Sequence, residues 1–202
     1  MKFPRSAGVL LHPTSLPGAH GIGELGPQAL RFLSYLHQAG IKIWQVLPLN
    51  PTGYGDSPYQ ALSAFAGNPL LIDLEELVSE GLLEHNVVQS PPAFPTERVD
   101  FSMVIPWKFD LLNKAASCFF ASGGAVRKTE FESFAESNRA WLDDYALFMA
   151  AKDAHQGRVW TTWDSDLALR QPAAMKSWTA RLSWPARPAS RPWGRRTGSA
   201  VL

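Results

Sequence analysis

The chain has 202 residues, 46% of them hydrophobic and 11% aromatic, with a formal charge of +1. So much apolar mass excludes wholesale disorder, and the near-neutral charge argues against nucleic acid or an anionic membrane surface as the main partner. Cys118 is the one cysteine, no cluster has metal-ligand spacing, no apolar h-region follows the basic start Met1–Ser6, and no run approaches a membrane span, which together read as a soluble, cytoplasmic chain.

Gly8-Val9-Leu10-Leu11 is a short apolar run closed by turn residues and reads as a buried strand. Gly26-Pro27 then opens a helix, because proline is pre-organised for the first helical position. Ala29, Phe32, Leu33 and Leu36 follow at helical spacing, and Gly40 stops it. Ile41 to Leu47, closed by Pro48, is a second strand, so the first fifty residues form a βαβ unit with parallel strands. Beyond it, Leu70-Leu71-Ile72 reads as a further strand and Leu74 to Leu83 as a short helix. The proline-rich stretch from Val87 to Val99 reads as a loop, and Trp107 to Phe120 as a helix. Glu130 to Asp153 is the strongest helix, with Phe131, Phe134, Ala135, Trp141, Leu142, Tyr145, Phe148 and Met149 on one broad stripe.

The last twenty residues differ in kind. Ser183 to Leu202 has no apolar periodicity and a narrow Arg/Pro/Trp/Ser/Gly vocabulary, which cannot pack a core. All 18 acidic residues precede Trp178, so residues 1–177 carry 14 Lys and Arg against 18 Asp and Glu, and the last 25 residues carry five Arg and no acid. The expectation is one domain over residues 1–182 and a disordered tail over 183–202. The abruptness of the change after helical sequence leaves two readings, a disordered basic tail with a binding role or a shifted reading frame near Ser183.

Three segments stand out: Leu11-His12-Pro13-Thr14-Ser15-Leu16-Pro17-Gly18, then Gly53-Tyr54-Gly55-Asp56-Ser57-Pro58-Tyr59-Gln60, then Ser63-Ala64-Phe65-Ala66-Gly67-Asn68-Pro69-Leu70-Leu71-Ile72-Asp73. Their order and spacing resemble the start of the 4-alpha-glucanotransferases, also called amylomaltases or disproportionating enzymes. The resemblance is dense from Gly8 to Leu83 and looser to Trp178. It implies the N-terminal part of an α/β fold, a (β/α) TIM-type barrel with a helical and loop insertion. A complete barrel takes about 250 residues, so two or three barrel strands are expected here. It also implies transfer of α-1,4-glucan segments between maltodextrins by a retaining double displacement, with no cofactor.

The loop from Gly53 to Gln60 follows the second strand, at the carboxyl end where barrels place their sites. Tyr54 and Tyr59 offer flat faces and hydroxyls for sugar rings, and Asp56 and Ser57 offer an acceptor and a donor. Glycines 53 and 55 permit positive φ, and Pro58 stiffens the loop. For Asp56 alone, bonding to local backbone N–H groups is the stronger reading. Tyr59 and Ser57 read as sugar contacts because the resembled enzymes line their cleft with this loop, and Tyr54 fits an accessory glucan site near Phe101. His12 reads first as a brace of the Pro13-Thr14-Ser15 turn, and Asn68-Pro69 as a turn. Gly21-Ile22-Gly23-Glu24-Leu25-Gly26 matches a dinucleotide fingerprint in letters, but it does not directly follow its strand, and the second strand ends without an acid for the ribose.

Retaining glycosyl transfer needs two carboxyl groups about 5–5.5 Å apart. The resemblance places them on later barrel strands, so no catalytic residue is expected among these 202. Glu75-Glu76, Asp143-Asp144, Asp164 and Asp166 read as solvated surface. Three readings follow: part of a glucan-transferring enzyme, a non-catalytic glucan-binding fragment, or a decayed gene product. The first implies sheet faces at Ile43, Val46 and Leu47 left partly uncovered, with the later helices shaped to lean on absent strands.

Overall fold

The computed structural model describes residues 4–122 and 124–181. The predicted tail at 183–202 lies outside these residues. Strand β1 (Gly8–Leu10) and strand β2 (Ile43–Gln45) pair in parallel, with Gly8 opposite Ile43 and Leu10 opposite Gln45. Helix α1 (Pro27–Gln38) connects them, as the strand–helix–strand pattern predicts. Pro27 occupies its first turn, and Gly40, at φ +70°, turns the chain back toward β2. The second strand is shorter than Ile41 to Leu47, because ladder pairing extends only as far as its three-residue neighbour.

Leu70-Leu71-Ile72 is not a strand. Pro69–Leu71 forms a 3-10 turn, since Pro69 withholds a ladder donor and Asn68 accepts the Leu70 N–H through its side-chain oxygen at 3.0 Å. Leu70 and Leu71 are buried instead, and Ile72 is exposed. Helix α2 (Leu74–Ser79) follows with Asp73 as its cap, whose carboxylate accepts the Glu76 N–H at 2.8 Å. A short helix α3 (His85–Val88) takes up the first two residues of the predicted loop. Helix α4 (Phe101–Ser122) begins earlier than predicted and runs through Pro106. Asp100 supplies its start, accepting from both the backbone N–H (3.1 Å) and the hydroxyl (2.5 Å) of Ser102.

The predicted single helix from Glu130 to Asp153 is two helices, α5 (Ala125–Ser137) and α6 (Arg139–Ala154). Asn138 makes the break. Its amide donates to the Phe134 carbonyl at 2.9 Å, and its side-chain oxygen accepts from the Trp141 indole at 3.1 Å. Asparagine competes in this way with the backbone ladder. The predicted stripe does not form one buried seam: Ala135 is buried, whereas Phe134 is exposed.

Two apolar clusters carry residues up to Leu142. Leu74, Leu83, Val88, Leu111 and Ala115 join α2, α3 and α4. Ile22, Leu70 and Val104 join the loop after β1, the Pro69 turn and α4, with Phe94, Val99 and Phe101 packed around them. Helix α4 therefore builds its core with the local helices and loops, which corrects the expectation that it would lean on absent strands. The sheet is the thinly covered part: Leu10, Ile43 and Val46 are exposed, as are Leu30, Leu33 and Tyr35 of α1.

The contact pattern divides the chain within α6, between Leu142 and Asp143. The second unit contains the rest of α6, a 3-10 turn at Trp160–Thr162, and helices α7 (Ser165–Ala168) and α8 (Pro172–Arg181). The His155 ring there lies against Trp163 and Trp178, at 5.0 and 5.4 Å, and Arg170 pairs with Asp144 at 2.9 Å.

Candidate functional site

Two loops leave the carboxyl ends of the parallel strands, residues 11–26 after β1 and residues 46–68 after β2. They are tied where they emerge. The Trp44 indole donates to the Leu11 carbonyl at 2.8 Å, and the Leu11 N–H donates to the Gln45 carbonyl at 3.1 Å. His12 spans both loops: one ring nitrogen lies 2.7 Å from the Thr14 hydroxyl and the other 3.3 Å from the Pro48 carbonyl. With the Thr14 N–H directed at Nδ1, the second nitrogen is the donor to Pro48. His12 is thus the brace of the Pro13–Ser15 turn.

The second loop carries the candidate residues. An isolated antiparallel bridge pairs Thr52 with Ala61. Gly53 donates to Gln60 at 2.8 Å, Leu62 to Pro51 at 2.9 Å, and Gln60 to Ser57 at 3.1 Å. Inside this cinch Tyr54–Asp56 forms a 3-10 turn with Gly55 at φ +68° and Asp56 at φ +53°. A non-glycine residue in the left-handed region is uncommon, though aspartate tolerates it better than most.

The structure thus brings Tyr54, Asp56, Ser57 and Tyr59 together on one closed turn. The Tyr59 side chain is 72% exposed. The Ser57 hydroxyl accepts the Tyr59 N–H at 3.3 Å, so it serves the local turn role that the sequence suggested for Asp56. Among the described side chains and backbone groups, nothing bonds the Asp56 carboxylate, which corrects that reading of Asp56. Asn68 caps the 3-10 turn that closes the loop.

A buried ionic chain next to this loop escaped the sequence reading. Lys108 is fully buried and donates to Glu24 and, at 2.7 Å, to the Leu70 carbonyl. The other Glu24 oxygen lies 2.9 Å from His20 Nδ1. His20 and Glu24 are buried too. Burial pushes the Lys108 ammonium below its ordinary range, and Glu24 opposes the shift. The chain of contacts joins the loop after β1, the Pro69 turn and α4. One signal was visible: Lys108 falls at the position between Val104 and Leu111 on an apolar helical stripe, where a charge needs a buried partner.

The glycine-rich motif is explained by the same packing. A Cβ on Gly23 would meet the Pro13 carbonyl, one on Gly26 the Asp73 carboxylate, and one on Gly21 the Phe94 ring. Its glycines admit close neighbours, not a pyrophosphate. Among the described residues no group of three His, Cys, Asp or Glu could hold a metal, and no helix is long and apolar enough to cross a membrane. A shallow, open hollow of about 550 Å³ on α5, lined by Thr129, Glu130, Ser133, Phe134, Ser137 and Asn138, includes none of the candidate residues.

Comparisons with known proteins agree with the geometry. The family described as 4-alpha-glucanotransferase matches residues 11–186. A 4-alpha-glucanotransferase of Thermus thermophilus is 48% identical over 176 residues, covering 87% of this chain and 34% of that protein. A chloroplastic/amyloplastic 4-alpha-glucanotransferase of Solanum tuberosum is 44% identical over 178 residues, covering 85% of this chain and 30% of that protein. Amylomaltase from Streptococcus agalactiae, solved in complex with acarbose, superposes with a TM-score of 0.83 at 34% identity, covering 89% of this chain and 36% of that one. The chain spans about a third of the length of these relatives. On the match across residues 11–186, the chain belongs to the 4-alpha-glucanotransferase family.

Proposed function

We propose that the whole protein transfers α-1,4-glucan segments between maltodextrins, and that this chain supplies part of its (β/α) barrel and a sugar-contacting loop. Tyr59, Ser57, Tyr54 and Asp56 are the residues proposed to touch glucan. The observation that carries the reading is the cinched loop at the carboxyl end of β2, which carries a largely exposed tyrosine and a carboxylate that no hydrogen bond engages among the described groups. An aromatic face for the ring, flanked by a hydroxyl and a carboxylate for its hydroxyls, suits a pyranose. The relatives' names supply the reaction.

The chemistry itself is proposed to lie outside these 202 residues. Many of the described acids already have other work: Glu24 pairs with Lys108, Asp110 with Lys114, Glu80 with Arg127, and Asp73 and Asp100 cap helices. The 202-residue chain is therefore expected to bind maltotriose without turning it over. Positioning by a loop cannot replace a nucleophile and an acid/base. Titration of maltotriose by calorimetry, alongside an assay for released glucose, tests both halves. Binding that weakens in Tyr59→Ala with no glucose above a heat-killed control supports the reading. Undiminished binding in Tyr59→Ala, or no binding to the intact chain, sinks the loop assignment.

A further inference from the structure

The loop after β2 is long, and ordering a long loop costs conformational entropy that something must offset. Its base is tied by the Asn68 N–H on the Leu49 carbonyl (2.8 Å) and by the Asn50 amide on the Ala66 carbonyl (3.0 Å). Among the described groups, the hydrogen bonds of residues 50–66 all close within the loop. The ring contact that reaches another element is made by Phe65. Its side chain is 71% exposed, yet it lies nearly parallel to the Trp141 indole, with centroids 5.9 Å apart and planes 22° apart. Ser63 shapes the approach, since its hydroxyl accepts from the N–H groups of both Phe65 and Ala66 at 3.1 Å. On the other side the indole N–H is held by Asn138, the residue that breaks the helical segment into α5 and α6.

We propose that Phe65 and Trp141 form a latch, anchored by Asn138, that holds the loop bearing Ser57 and Tyr59 in its glucan-binding shape. All three are positioning residues and none touches the sugar. The proposal rests on the reading that this loop contacts α-1,4-glucan. A ring that is mostly in water contributes little to the core, so its stacking acts on the loop and not on the fold.

The test uses the 202-residue chain and two readouts, amide hydrogen exchange at Gly53 and Gln60 and calorimetric affinity for maltotriose. Phe65→Ala is expected to speed exchange at both amides and to weaken maltotriose binding by roughly three- to ten-fold, the range of one aromatic stack, with the thermal midpoint nearly unchanged. Phe65→Tyr, which keeps the flat face, is expected to restore both. Trp141→Leu is expected to match Phe65→Ala; should it fail to fold, Trp141→Phe is expected to keep slow exchange, and Asn138→Ala to lose part of it. Unchanged exchange in Phe65→Ala overturns the latch. So does weakened binding in Phe65→Ala that Trp141→Leu does not share, because Phe65 would then touch the sugar itself. Failure of the intact chain to bind maltotriose would remove the glucan reading, while the exchange rates would still decide whether the latch exists.

Discussion

Lys108 reaches Glu24 across 84 residues of sequence, and both groups are buried. Removing one partner of such a pair leaves the other as an uncompensated buried charge, a loss of about 3–5 kcal/mol. Lys108→Ala is expected to fall in that range in urea unfolding at neutral pH, and Lys108→Met paired with Glu24→Gln to lose clearly less. A single-variant loss below about 1 kcal/mol, the scale of an exposed pair, would show that water already reaches the site. The pH dependence has a definite sign. Burial lowers the Lys108 pKa from 10.5, so the unfolded chain binds the proton more readily than the folded one. Stability from this group therefore rises as pH climbs through the window below 10.5. Measured against Lys108→Met, the native chain should gain stability between neutral pH and pH 10.5.

Asp100 gives the opposite end of the pH scale. The Ser102 hydroxyl, and then the backbone N–H groups of Ser102 and Met103, hold its carboxyl below the usual 3.8. A depressed carboxyl stabilises the fold above the unfolded value and loses that contribution as pH falls through the folded one. Asp100→Ala should lower the thermal midpoint at pH 7 and lower it progressively less as pH falls below 3.8. A deficit that does not shrink on acidification would place the effect in backbone geometry and not in the charged cap.

Gly21 should resist substitution. It lies at φ +72°, and a Cβ there would fall 2.4 Å from the Phe94 ring. Left-handed backbone costs an alanine about 1–2 kcal/mol, and overpacking adds roughly 1–3 kcal/mol. Gly21→Ala combined with Phe94→Leu should recover the packing part alone. Equal stability of Gly21→Ala and the native chain, in denaturant titration, would contradict this contact.

The apolar surface around the two strands predicts the behaviour of the isolated chain. Leu30 is 65% exposed on α1, beside exposed Leu33, and Leu10 and Ile43 are exposed on the sheet, whose outer edges have no partner among the described residues. Such surfaces promote association. Leu30→Lys with Leu33→Glu is expected to shift size-exclusion elution toward the monomer without lowering the thermal midpoint. Identical elution of both forms would locate the association elsewhere.

Local chemistry settled several elements from the sequence by itself. Pro27 and Gly40 bounded α1, a short apolar run and a β-branched run marked the two strands, and the Gly53–Gln60 vocabulary marked a closed turn. The three motif segments pointed to the family that the match over residues 11–186 shows. These features depend on residues a few positions apart, which is why they were legible. What only the tertiary structure decided is which of several open options each segment takes. Leu70-Leu71 has the letters of a strand, but Pro69, the Asn68 cap and the face of α4 at Val104 make it a buried 3-10 turn. The stripe from Glu130 to Asp153 has helical period throughout, and the break came from an asparagine side chain that bonds Phe134 behind it and Trp141 ahead. Within the candidate turn, Ser57 and not Asp56 accepts the local N–H. Two hydrogen-bonding residues side by side have the same composition in either order of use, and only the backbone angles of the folded loop chose between them.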